Sequence, residues 1–253
     1  MNIRAEHVGY TAVAKFGAPR EVIHDLSFAL GGGECVAVIG REGSGKTTLL
    51  NILGGLVAPT AGRVMADGVQ IWPESKEARN VRLRMGYTFQ FPEEQFLSPT
   101  VGEEFSSLFR LRGIPEAEWE DRRSGSLRAA GLAEQADVRR SPFSLSLGES
   151  RRLALAMAAA VRPSAAFLDE PTSGLDAAGS ACARRIVESL LGRGAAVVIA
   201  THDLEFIAGA ARTVVILGEG SIAAAGEAGA ILGDAALLAA HGYAPPRRRP
   251  SRM

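Results

Sequence analysis

Three uninterrupted apolar runs punctuate the chain: CVAVI at Cys35–Ile39, AAFL at the start of 165–170, and AAVVIA within 195–203. Runs of this length and purity are what strands buried on both faces require. The first leads into a segment with Leu49, Leu50, Ile52 and Leu53 apolar, the spacing of one face of a helix. Upstream the pattern changes. VIHDLSFAL, with Ile23, Leu26, Phe28 and Leu30 apolar, predicts strands of an antiparallel edge sheet supplied by residues 2–30. Between the first and second runs, GIPEAEWEDRRSGSLRAAGL predicts a helix with Pro at its first turn, and another helix follows Ser146.

FQFPEEQFLSPTVGEEF, from Phe89 to Phe105, fits neither period. Pro92 and Pro99 are rejected by a helix interior, and adjacent Glu93 and Glu94 spoil strand alternation, so the stretch reads as a loop rich in aromatics and acids. The organisation expected is a single domain over 1–245. Its nucleotide-type core spans about 1–91 and 163–225 and its helical subdomain about 92–162. A basic tail, 246–253, is read as solvated and disordered.

Composition adds mainly exclusions. The 253 residues carry 47% hydrophobic and 22% charged positions, ordinary for a globular chain. Twenty-eight basic and 28 acidic residues cancel, which predicts no nucleic-acid partner, because phosphate-backbone affinity needs a positive surplus. Cys35 and Cys182 lie far apart without a CxxC pattern, and Cys35 falls inside an apolar run, so a small core residue is expected there. No apolar run approaches the roughly 18 residues that span a bilayer. A soluble chain is expected, held by a partner if it works at a membrane.

The strongest chemical signal is GREGSGKTT, residues 40–48. Gly40, Gly45, Lys46 and Thr47 satisfy G-x-x-x-x-G-K-[ST] between a predicted strand and a predicted helix, the context in which that pattern has meaning. Gly43 and Gly45 free backbone N–H groups to turn around phosphate oxygens. The helix N-terminus adds partial positive charge, Lys46 reaches the terminal phosphates, and the Thr47 hydroxyl is a Mg²⁺ ligand. Arg41, Glu42, Ser44 and Thr48 complete the predicted nucleoside-triphosphate loop.

The second run ends in Asp169 and Glu170. An acid at that strand end suits a Mg²⁺ contact, and Glu170, one residue on, is placed to act as general base toward water beyond the γ-phosphate. The third run ends at Thr201 and His202. It leaves the carboxyl edge of a parallel strand, where ligands of open α/β sheets bind, so His202 is expected at the γ-phosphate.

Taken together these segments resemble the ATP-binding-cassette (ABC) ATPases over nearly the whole chain, from about residue 2 to 245. The resemblance rests on GREGSGKTT as Walker A, Gln90 as the Q-loop, LSLGE (Leu145–Glu149) with SRRLALA as the signature, AAFLDE as Walker B, SGLD ending at Asp176 as the D-loop, and His202 as the switch histidine. It implies an α/β fold of the P-loop NTPase type, a RecA-like core with an N-terminal antiparallel β subdomain and an inserted α-helical subdomain. It also implies ATP hydrolysis with Mg²⁺ held through Thr47, Gln90 and Asp169. A second ABC ATPase chain, the same or different, would place Ser146, Leu147, Gly148 and Glu149 in trans on the other nucleotide. FQFPEEQF, TVGEEF and SPFSLSLGESRRLALA look most like the cassettes of energy-coupling factor (ECF) importers, which take up vitamins or cobalt and nickel. That likeness implies a transmembrane coupling subunit, a separate substrate-binding membrane subunit, and a place at the cytoplasmic face of the cell membrane. Phe91, Phe96, Glu93 and Glu94 would then meet the coupling subunit, unless the two aromatics pack internally.

Three departures stand out. Ala12 occupies the place of the family's adenine-stacking aromatic, leaving Tyr10 or Phe16, with Val22, for the base, unless Tyr10 is a core residue. Leu147 replaces a signature glycine, which predicts backbone strain and a weakened site in trans, and so favours pairing with a different cassette. Glu149 replaces the usual glutamine, expected to be the milder change. After HGYAPP, where the resemblance implies a further helical region, the sequence has RRRPSRM.

Overall fold

Two sheets divide the labour of the chain. The computed structural model describes residues 1–13, 18–132 and 138–244. The first sheet holds β1 (Ile3–Ala12), β2 (Arg20–Leu30), β4 (Ala61–Ala66) and β5 (Val69–Gln70) in the antiparallel order β2-β1-β4-β5. The edge sheet expected from residues 2–30 is therefore completed by strands that follow the Gly-rich loop. In β2 the buried positions Ile23 and Leu26 are three apart, breaking a period of two. The break is absorbed at Asp25, whose φ of 41° is left-handed, with irregular register against β1.

The second sheet carries β3 (Cys35–Ile39), β6 (Met85–Thr88), β7 (Ala165–Asp169), β8 (Ala196–Ala200), β9 (Thr213–Gly218) and β10 (Ser221–Glu227), ordered β10-β9-β3-β8-β7-β6. The five strands from β9 to β6 run parallel and β10 joins antiparallel. Every residue of β3, β7 and β8 is buried, as their unbroken apolar runs require. Burial pushes the Cys35 thiol up to about 12, consistent with an inert core residue.

Helices α1 (Lys46–Leu53) and α2 (Lys76–Arg82) lie between the sheets' strands in sequence, and α1 presents Leu49, Leu50, Ile52 and Leu53 to the cluster shared by both sheets. Three further helices, α3 (Val101–Leu111), α4 (Trp119–Ala129) and α5 (Leu147–Ala160), form the insertion. Phe105, Phe109, Leu127 and Leu153 from these helices join one continuous apolar cluster with Ala37, Ile39 and Leu168 of the second sheet. The remaining helices are α6 (Ala177–Gly192), α7 (Leu204–Ile207), α8 (Ala228–Gly233) and α9 (Ala235–Ala240).

The stretch read as a loop is more ordered than its composition suggested. Pro92–Gln95 forms a 3-10 turn, and α3 begins at Val101 with Thr100 accepting the Glu103 N–H as its cap. Glu104, buried within α3, accepts the backbone N–H groups of both Leu97 and Ser98. That acid serves the loop itself. Phe16 and the tail 246–253 lie outside the described residues.

Candidate functional site

The carboxyl ends of β3, β7 and β8 open onto a cavity of about 590 Å³. It is bordered by Gly40, Glu42, Gly43, Gly45, Lys46, Thr47, Thr48, Gln90, Asp169, Glu170 and His202, with Arg20 and Val22 at one side. Strands buried on both faces hold their ends rigidly, so residues that follow them converge reproducibly. Gly43 and Gly45 have φ of 76° and 101°, values that L side chains rarely adopt. Gly45 is the N-cap of α1 and carries no side-chain cap, which leaves the first-turn N–H groups of that helix available to an anion. Lys46 Nζ donates to Gly40 O at 2.8 Å and to Arg41 O at 3.2 Å.

The Thr47 hydroxyl donates to Asp169 Oδ2 at 2.7 Å, joining the loop to the end of β7. Burial raises the Asp169 pKa; the Thr47 hydrogen bond, Lys46 and Arg151 oppose that, while neighbouring Glu170 adds to it. Glu170 sits in a left-handed backbone conformation, φ 46°, a strained position for a residue with a Cβ. Its N–H donates to Ala200 O at 2.8 Å, which ties it to β8. Its carboxylate accepts the Thr201 hydroxyl at 2.9 Å and lies 3.0 Å from His202 Nδ1. With Glu170 ionised, Nδ1 is the protonated nitrogen of that pair. Asp176 caps α6, accepting the Gly179 N–H at 2.7 Å.

Several expected residues lie elsewhere. Tyr10 packs against the apolar cluster between the sheets and does not border the cavity, because its strand position faces that cluster. Arg20, directly opposite Ala12 across β1 and β2, borders it instead. Arg41 and Ser44 border a neighbouring cavity of about 730 Å³ instead. Phe96 is 4% exposed and meets Phe143 edge-on at 6.5 Å, so it packs internally and offers nothing to a partner. Phe91, Glu93 and Glu94 are exposed, and so is Leu97, which the sequence reading passed over.

The signature segment differs from expectation in its backbone. Leu147 is the first residue of α5 and is not among the residues with positive φ, so it carries no left-handed strain. Ser146 and Glu149 form a capping box: Ser146 Oγ accepts the Glu149 N–H at 3.3 Å, and Glu149 Oε2 accepts the Ser146 N–H at 2.8 Å. The Ser146 N–H holds the Glu149 carboxyl below the ordinary glutamate range, with help from Arg140. Gly148 lies one residue inside the helix, near the Gly174 carbonyl.

Arg151 is a residue that sequence reasoning missed. It is buried on α5, and it donates from Nη1 to Glu170 O at 3.0 Å and from Nη2 to Gln90 O at 2.9 Å. A charged residue on the buried side of an otherwise apolar helix was the available signal. Burial lowers its pKa, yet it stays protonated, as guanidinium does in proteins.

The geometry has close counterparts. The family model described as ABC transporter matches residues 23–173. The cobalt import ATP-binding protein CbiO of Rhodobacter capsulatus is 37% identical over 89% of this chain and 80% of its own length. The energy-coupling factor transporter ATP-binding protein EcfA2 of Clostridium perfringens is 31% identical over 98% of this chain and 87% of its own length. A dimeric ATP-binding cassette in a post-hydrolysis state with ADP and Pi superposes with a TM-score of 0.80 at 26% identity, covering 89% of this chain and 98% of that one. The solved CbiO1 of Clostridium perfringens, part of the ABC transporter complex CbiONQ, superposes with a TM-score of 0.74 at 25% identity, over 94% and 93% of the two chains. With the family model spanning more than half of the sequence and relatives aligned over nearly all of it, the chain belongs to the ABC transporter ATP-binding family.

Proposed function

We propose that this chain binds and hydrolyses ATP to drive an ECF-type membrane importer for a vitamin or a transition-metal ion. The observation that carries the reading is the convergence of Lys46, Asp169, Glu170 and His202 on one cavity beside an uncapped helix N-terminus. Triphosphate lies along the loop from Gly40 to Thr48, taking hydrogen bonds from the first turn of α1 and from Lys46. Val22 and Arg20 border the space left for the base.

Thr47, Asp169 and Gln90 are an all-oxygen donor set suited to Mg²⁺; Thr47 and Asp169 are 2.7 Å apart and Gln90 borders the same cavity, which supports that reading. Mg²⁺ bound there would neutralise charge on the β- and γ-phosphates. Glu170 accepts a proton from the water that attacks the γ-phosphorus, while the bond to the β-phosphate oxygen breaks. Thr201 and His202 orient the carboxylate, each by a hydrogen bond. In the closed dimer His202 turns to the γ-phosphate, and Ser146, Gly148 and the start of α5 from the other chain cover it. Phe91, Glu93, Glu94 and Leu97 meet the transmembrane coupling subunit, the acids facing its basic residues. This partner holds the chain at the cytoplasmic face; among the described residues no helix is long and apolar enough to cross a membrane.

Affinity capture from detergent-solubilised membranes of the source cells tests the reading. It should recover a polytopic subunit together with a small substrate-binding membrane protein. Recovery of soluble partners alone, with ATPase activity intact, would sink the importer assignment and leave only the ATPase.

A further inference from the structure

The strand-to-loop junction at Gly40 is held by a residue from the far end of the described chain. Tyr243 Oη accepts the Gly40 N–H at 2.8 Å and donates to the Gly40 carbonyl at 2.7 Å. A hydroxyl has one hydrogen and two lone pairs, so both bonds form at once and fix that residue in its extended geometry. No larger residue fits at 40, because a Cβ there would stand 2.3 Å from Leu217 O. The next loop residue is held as well: Arg41 Nε donates to His241 O at 3.4 Å.

The segment that provides these contacts is itself anchored. Asp234 caps α9, Leu238 is fully buried, and the Tyr243 N–H returns to Leu238 O at 2.9 Å. Gly242, at φ 84°, makes the turn and passes close to Arg41. Burial raises the pKa of Tyr243, so its hydroxyl keeps the proton it donates.

The Gly40 carbonyl also accepts Lys46 Nζ at 2.8 Å. Tail tyrosine and loop lysine therefore share one acceptor. Each N–H that Lys46 turns toward a phosphate oxygen leaves a loop carbonyl short of a partner, and a buried carbonyl so left is costly. Tyr243 keeps the Gly40 carbonyl hydrogen-bonded during that transfer. We propose that Tyr243 is a positioning residue of the nucleotide site, fixing the Gly40 peptide while Lys46 moves to phosphate. By reciprocity, nucleotide binding tightens the 235–243 segment against the loop. This rests on the assignment of residues 40–48 as the ATP loop.

The test compares wild type, Y243F and Y243L as full chains. Y243F loses both bonds to Gly40, but only the carbonyl bond is needed more once Lys46 turns to phosphate. Calorimetry with ATP and with ADP should therefore show each binding about fivefold more weakly, the scale of that one neutral hydrogen bond. Turnover at saturating ATP should stay near wild type, while the melting temperature without nucleotide falls modestly, because the buried Gly40 N–H loses its partner in the free chain as well. Hydrogen exchange of amides 238–243 should slow on adding ADP in wild type and not in Y243F. Unchanged affinity and an unchanged exchange response in Y243F would overturn the proposal. So would a Y243F that matches wild type beside an impaired Y243L, since the ring would then matter only as packing. Wild type that binds neither nucleotide would instead overturn the loop assignment beneath it.

Discussion

Two helix N-termini in this molecule, those of α1 and α5, are prepared in opposite ways. At α1 the N-cap is Gly45, with no side chain to accept the orphan N–H groups and a cationic Lys46 beside it. At α5 the N-cap is Ser146, and Glu149 closes a reciprocal capping box over it. A helix start attracts anions because its N–H groups lack partners and its dipole is positive there. The first helix retains both properties. The second has spent hydrogen-bonding capacity on its own side chains and carries a carboxylate beside its first turn. In the proposed dimer one chain would thus bring an open helix start to its own nucleotide and a self-satisfied one to its partner's. On that proposal the handicap in trans would lie in Glu149, since Leu147 adds exposed bulk but no backbone strain.

Removing the chemistry at the first site should have the largest effect. Glu170→Gln keeps the side chain's shape and its ability to accept from Thr201 but loses the proton acceptor. ATP hydrolysis should fall roughly 10²–10⁴-fold with ATP affinity unchanged. Steady-state turnover and calorimetry on the same preparation check this, and turnover above about a tenth of wild type would remove Glu170 from the role of base.

A smaller effect should come from cutting the link between the two regions. Arg151, from the second turn of α5, bridges the carbonyls of Gln90 and Glu170 and so couples the signature helix to the catalytic loop. Arg151→Met preserves the packing stem and strands both carbonyls. Turnover should drop about tenfold, with ATP affinity of the isolated chain within about twofold. Arg151→Lys should resemble Met, because one ammonium lacks the planar fork that spans two acceptors. A Lys variant with full turnover would show that charge alone suffices and that the bridge is not the coupling element.

The nucleotide half was legible because its signals are local. CVAVI running into GREGSGKTT, and AAFLDE ending in two acids, each join a strand to chemistry within a few consecutive residues, and buried parallel strands place them at one edge without further information. The rest depends on contacts between distant segments. Phe96 and Phe91 look alike in sequence, and only the packing of Phe96 against Phe143 separates the buried ring from the exposed one. Glu104 and Arg151 are charges whose partners are backbone groups, which leave no trace in side-chain pattern. The adenine side is similar: Tyr10 was a candidate by type, but the register that sets Ala12 opposite Arg20 decides what borders the cavity.

The smallest and most discriminating change is Glu149→Gln. Glutamine can still accept the Ser146 N–H through its amide oxygen, so the cap survives in neutral form while the negative charge at the start of α5 is removed. ATP-driven dimerisation should tighten a few-fold, read by sedimentation of the Glu170→Gln background with ATP, and turnover should rise modestly in otherwise wild-type protein. Leu147→Gly should do less, because its φ is already helical and glycine weakens the first turn it replaces. The pH dependence follows from the lowered carboxyl pKa of Glu149. Its capping contribution is fully present above the ordinary glutamate value and is lost as pH falls through the lower folded value. Wild type should therefore lose α5 stability in acid over that window while Glu149→Gln does not. If Leu147→Gly enhances dimerisation and Glu149→Gln leaves it unchanged, bulk rather than charge limits the trans face, and the contrast between the two helix starts fails as its explanation.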